Sequence, residues 1–186
     1  EQYLAELAQR SFLKLWTLPN PYRVAGKELA DLLIAFGDDL VVFSDKASKF
    51  DAANLQLGWD RWYRSTIDES IKQLAGAARK LKDPGTSIFL DRSATQPLPF
   101  DLSEPMSRRL HLVAVARPDH DPTVTPAGWQ PLTYADSGPS NTRPFEVGRC
   151  TAGKHFVHVF DGQTLELLLT HLDTAPDFID YLKNRE

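Results

Sequence analysis

An acid stands where an apolar residue would fit better. In the run from Gly26 to Lys46, Asp31 is set among Leu29, Leu32, Leu33 and Ile34, and the pair Asp45-Lys46 closes the run after Leu40-Val41-Val42-Phe43. A carboxylate in such surroundings is costly unless a metal, a cation or a set of donors meets it. Carboxylates beside a lysine suit phosphodiester hydrolysis, in which a divalent metal activates water and offsets phosphate charge. Magnesium takes a few carboxylates and lets waters and substrate oxygens complete its octahedron. A nearby lysine orients the water or stabilises developing charge. Asp31 is therefore the leading candidate metal ligand, with Glu28 and Asp45 as further candidate acids, and Lys46 is the candidate catalytic cation.

These residues need a hairpin to meet. Gly37-Asp38-Asp39 supplies turn chemistry between two apolar strands. With an even-numbered turn, Asp31 pairs near Ser44 and Lys46 on one face; with three turn residues it faces Asp45 and Lys46 points away. The turn residues leave both registers open. Neither strand alternates cleanly, which suits strands covered on both faces.

The remaining elements follow from periodicity. Tyr3 to Trp16 reads as an amphipathic helix, stopped by Thr17-Leu18-Pro19-Asn20-Pro21. Trp59 to Leu81 is the longest helical stretch, ended by Asp83-Pro84-Gly85. Ser87 to Asp91 and Leu110 to Val115 read as strands, with Gln96 to Pro105 irregular between them. Pro118 to Val147 reads as a long surface excursion. Lys154 to Phe160 and Thr164 to Thr170 read as a second hairpin around Asp161-Gly162, before a last helix opened by Asp173-Thr174-Ala175-Pro176.

Composition bounds the function. The length of 186 residues suits one domain, 1–186. There is no run of about 18 apolar residues, so no membrane span is expected. The first residues are acidic and amphipathic rather than signal-like. The single cysteine, Cys150, excludes an internal disulfide and a multi-thiolate zinc site, and suits a cytoplasmic protein. A net charge of -4 argues against broad attraction to nucleic acid, but leaves room for a local basic face. Arg61, Arg64, Lys72, Arg79, Lys80 and Lys82 supply either such a face or the solvated side of the long helix. Trp59, Trp62 and Tyr63 are better placed to anchor that helix than to stack on bases. Neither a phosphate-binding loop, a dinucleotide fingerprint nor a nucleophile elbow occurs.

On Asp31 and Lys46, the segment resembles the core of the PD-(D/E)XK nuclease superfamily. The resemblance covers roughly residues 1–116 and leaves 117–186 as an added hairpin and helix. It implies an α/β (α+β) fold of restriction-endonuclease-like type, built on an α-β-β-β-α-β core with helices flanking a mixed sheet. It also implies magnesium or manganese as cofactor, with DNA, or RNA, as partner and room for a protein partner or an oligomer. The position two before the lysine, an acid in the family pattern, is Ser44 here. Glu28 or Asp45 is then the replacement acid. Members often carry a Gln-Leu pair facing the site on the helix that follows, and Gln73-Leu74 occupies the matching place. A member that has lost catalysis would serve instead as a binding or scaffold module.

Overall fold

The computed structural model describes residues 2–98, 108–119, 127–135 and 143–186. The first helix, α1 (Gln2–Trp16), carries a left-handed residue at Leu13, φ 64°, near its end. The segment expected only to stop it forms a short strand, β1 (Thr17–Pro19). A two-stranded ribbon follows, β2 (Tyr22–Val24) and β3 (Lys27–Glu28). The hairpin is β4 (Leu32–Phe36) and β5 (Asp39–Ser48). Asp31 lies at the entry to β4 rather than within it.

The long helical stretch is α2 (Leu55–Tyr63) and α3 (Glu69–Leu81), joined through a π-helical turn at Arg64–Asp68. Then come β6 (Arg109–Pro118), β7 (Thr133–Tyr134), β8 (Glu146–Val147), β9 (Cys150–Ala152), β10 (His155–Phe160), α4 (Gly162–His171) and α5 (Ala175–Lys183).

Six strands form one mixed sheet in the order β1-β4-β5-β6-β10-β9. The β1-β4-β5 part is antiparallel, whereas β6 runs parallel to both β5 and β10. Each face carries its own apolar layer. Leu33, Val42 and Leu112 pack under Trp59, Trp62, Ile67 and Leu74 of the α2–α3 stretch. Leu32, Val41, Phe43 and Val113 pack under Phe12 of α1, Leu165 of α4 and Phe178 of α5. Helices therefore cover both faces, and this is why β5 has no polar face in its middle.

Three expectations are corrected. Thr164 to Thr170 is helix, not strand. Asp161 caps it by accepting a hydrogen bond from the Thr164 amide at 2.7 Å, and Leu165 and Leu169 fall one helical turn apart on the buried side. The partner of β10 is β9, across a turn at Gly153-Lys154. Ser87 to Asp91 makes only isolated bridges, Phe89 to Tyr22 and to Pro97. In the Pro118–Val147 stretch, Trp129, Leu132, Phe145 and Val147 join the core instead of lying on the surface. Residues 120–126 and 136–142 of that stretch, and most of the Gln96–Pro105 stretch, lie outside the described residues.

At the sheet end where β5 and β6 begin, buried charges tie α5 to the strands. Asp39 accepts two hydrogen bonds from Arg109 at 2.9 Å, one from Lys183 at 3.1 Å and one from His111 Nε2 at 2.8 Å. The other nitrogen of His111, Nδ1, lies 2.7 Å from Glu186 Oε1. A neutral imidazole has only one N–H, so two carboxylate contacts require the imidazolium. Burial pulls the His111 pKa down, but its bonds to Glu186 and Asp39 outweigh this and hold it above the ordinary value. Burial pushes Glu186 up, and the two histidines reverse this and bring it down to about 2. His158, beside Glu186, is lowered by its burial.

Two predictions follow from these elements. Asp161 also accepts from the Leu132 amide at 3.0 Å, so Asp161→Ala removes a cap and orphans a buried amide. Urea unfolding should show a loss of about 2 kcal/mol. The second concerns pH. A histidine with a raised folded pKa stabilises below its unfolded value and loses that contribution as pH rises through the folded value. His158, being lowered, costs stability only on the acid side of about 6.5. The urea midpoint should therefore fall as pH rises above about 6.5, and His111→Gln should flatten that alkaline limb.

Candidate functional site

The hairpin turn decides which side chains meet. Phe36 pairs with Asp39 across Gly37-Asp38, and the ladder continues to Leu32 opposite Phe43. This is the even register. Asp31, one step beyond, donates its backbone N–H to the Phe43 carbonyl at 3.1 Å. Alternation then sends Asp31, Ser44 and Lys46 to the face covered by α3, and Asp45 to the opposite face.

On the α3 face the four polar residues form one array. The Asp31 carboxylate is buried, its side chain only 2% exposed. Its Oδ2 accepts from the Asp45 backbone N–H at 2.6 Å and lies 3.4 Å from Lys46 Nζ. Its Oδ1 accepts from Gln73 Nε2 at 3.1 Å. Gln73 Oε1 in turn accepts from the Ser44 hydroxyl at 2.9 Å. The Ser44 and Ser70 hydroxyls lie 3.1 Å apart. Ser70 and Gln73 are one turn apart on α3, so the helix presents both to the sheet. The array therefore runs Ser70, Ser44, Gln73, Asp31, Lys46, and the Lys46 end is partly open to solvent, with a third of its side chain exposed.

Glu28 is the acid left on this side. It is exposed on β3, where Tyr22 Oη donates to it at 3.0 Å. Glu28 and Gln73 line a common cavity of about 160 Å³ together with Arg23, Arg79 and Lys80. The cavity thus borders the Asp31 array through Gln73 and has a basic rim.

Asp45, also expected as a candidate acid, is not part of this constellation through its side chain. It faces α1 and accepts two hydrogen bonds from Arg117, from Nε and Nη2, each at 2.8 Å. Arg117 in turn lies over the ring of Tyr3 at 5.4 Å. Only the Asp45 backbone N–H serves the site. The reason is parity: Ser44 and Lys46 share one face of β5, so Asp45 between them cannot. Trp59, Trp62 and Tyr63 are buried in the core, and their rings pack on one another and on Trp129 and Phe145.

Ser70 and Arg23 border the array and its cavity without having been singled out by the sequence, whereas Arg79 and Lys80, two of the cations considered for a basic face, do line the cavity. Ser70 carried a signal, since a serine between Ile67 and Leu74 sits on the buried stripe of its helix. Arg23 carried none, because it reads as an ordinary surface cation.

Among the described residues no group of three His, Cys, Asp or Glu side chains forms a metal cage, and no helix is long and apolar enough to cross a membrane. Neither a protein-family model, a curated protein nor a solved structure matches this chain.

The separation of Asp45 from the array has a measurable consequence. Removing one partner of a buried ion pair strands the other charge, so Arg117→Met should lower unfolding stability by about 3 kcal/mol. The same substitution leaves every contact of Asp31 in place.

Proposed function

We propose that the chain is a metal-dependent nuclease-like domain that hydrolyses phosphodiester bonds, DNA being the leading substrate, on a restriction-endonuclease-like core. One observation carries this reading. Asp31, Ser44, Lys46 and Gln73, drawn from the entry to β4, from β5 and from α3, meet in one hydrogen-bonded array at the edge of a basic-rimmed cavity. The chain order supports it. Leaving aside the small ribbon and taking α2–α3 as one helical stretch, α1, β1, β4, β5, α2–α3 and β6 follow the α-β-β-β-α-β order that the sequence resemblance implies.

The donor set suits magnesium or manganese held largely through substrate and water, not a closed protein cage. Magnesium takes one or two carboxylates in such sites. An ionised carboxylate offers about four lone-pair positions, and three of those on Asp31 are met by Asp45 N–H, Lys46 and Gln73. Asp31 would be the principal ligand, and Glu28, in the lining of the adjoining cavity, is the candidate second acid. When bound, the ion supplies an activated water and compensates phosphate charge.

The side chains divide the remaining work. Gln73 holds the Asp31 carboxylate in one orientation. Ser44 fixes the Gln73 amide, because its hydroxyl donates to Oε1 and leaves Nε2 aimed at Asp31. Lys46, anchored by Asp31 but partly solvent-facing, is placed to donate to a phosphate oxygen and to stabilise charge as it develops there.

A second reading has its own support. Ser44 stands where the family pattern has an acid, and Asp31 is already neutralised by Lys46. Those two facts favour a domain that keeps the fold and binds its partner without cutting it. Incubation with labelled DNA and RNA in magnesium or manganese separates the two. The nuclease reading expects metal-dependent cleavage, abolished by chelation and reduced about a hundredfold or more in Asp31→Ala and in Lys46→Ala. A folded wild-type protein that cuts neither polymer leaves only the binding role.

A further inference from the structure

Beside the cavity lined by Gln73 and Glu28 lies a second, larger cleft of about 390 Å³, within the range of roughly 300–1,000 Å³ typical of ligand sites. Arg23 of β2, Lys80 from the last turn of α3, Asp83, Thr86, Ser87 and Phe89 line it. Arg23 and Lys80 line both cavities, so the two adjoin.

Its lining carries two cations, Arg23 and Lys80, against one carboxylate, Asp83. Arg23 and Lys80 are both half-buried, and among the described residues neither they nor Arg79 make an ion pair. Asp83 is committed to its own loop, where its Oδ1 accepts from the Gly85 amide at 3.1 Å. A partly exposed cation outside any ion pair attracts an incoming anion and has donors to offer it. Phe89, half-buried, also lines the cleft. Cations for phosphates beside an aromatic for a base is the composition of a single-strand binding groove. In a duplex the bases stay stacked inside and cannot reach such a ring.

We propose that this cleft seats one nucleotide of a single-stranded nucleic-acid segment whose chain continues into the adjoining cavity that Gln73 and Glu28 line, with phosphate on Arg23 and Lys80 and the base against Phe89. This deepens the nuclease-like reading by naming its substrate as an unpaired strand, and it rests on that reading only for what happens next door at Asp31. With a net charge of -4 on the whole chain, binding depends on this local patch and not on a general field.

Fluorescence anisotropy of labelled oligothymidylate, in calcium to permit metal binding without relying on turnover, tests it across a salt series. Wild type should bind the single strand at least tenfold more tightly than the matching duplex. Arg23→Ala/Lys80→Ala should weaken binding tenfold or more and lower the salt slope by about 1.4, from about 0.7 for each lost phosphate contact. Phe89→Leu, which keeps an apolar body in the fold, should cost about fivefold without changing the slope. Arg10→Ala/Lys14→Ala, on the exposed side of α1, should change neither. Thermal melting checks that each variant is folded.

Unchanged affinity and slope in the folded Arg23/Lys80 variant overturn the proposal, as does equal or tighter binding of duplex. Binding of thymidine 5′-monophosphate as tight as that of the oligonucleotide overturns the strand assignment. A wild type that binds single strands through Arg23 and Lys80 yet cuts nothing upholds this inference and defeats the nuclease reading. One that cuts but ignores the Arg23/Lys80 change does the reverse.

Discussion

Everything at the candidate site hangs on the pairing of β4 with β5. The two-residue turn at Gly37-Asp38 sets Leu32 opposite Phe43 and carries Asp31 to the level of Ser44. Because side chains alternate with period two, a slip of one residue would send Lys46 and Ser44 to the far face and bring Asp45 forward. Burial on both faces makes such a slip expensive, since it would move Val41 and Val42, both wholly buried, into each other's layers. The core therefore holds the register, and the register holds the array.

The carboxylate of Asp31 shows how that rigidity is used. It is buried, but three donors satisfy it, one of them a backbone amide from the neighbouring strand. The strand and α3 thus share a single anchor, and α3 cannot rotate without breaking the bonds of Gln73 to both Asp31 and Ser44. The π-helical turn at Arg64–Asp68 lies between α2 and α3 and shifts the helical phase. It lets Trp59 and Trp62 face the core while Ser70 and Gln73 face the polar end of the strands.

Charge is sorted by sheet face and by sheet end. Asp45 with Arg117 sits on the face opposite the array, and Asp39 with Arg109, His111 and Lys183 sits at the end where β5 and β6 begin. Both are closed groups in which each buried carboxylate already has its cations. By contrast the cleft around Arg23 and Lys80 carries cations with no such partner among the described residues. The difference separates charges paired within the fold from charges that stand outside any ion pair at a cleft.

The sequence by itself determined the elements whose signals are local. The periodicity of the first and longest helices, the apolar hairpin with its Gly-Asp turn, and the Thr174-Ala175-Pro176 helix start all appear in the structure near their expected places. It also named Asp31, Ser44, Lys46 and Gln73 as the residues to watch. Only the tertiary structure decided which of them touch. Two registers were open to the hairpin, and packing on both faces selected one, so Asp45 went to Arg117 and Lys46 to Asp31. It also turned Thr164–Thr170 into helix, because the Asp161 cap and the buried Leu165 and Leu169 outweigh a turn signal shared by hairpins and helix starts. Short-range pattern fixes what a segment prefers; which charge meets which is a property of distant strands brought side by side.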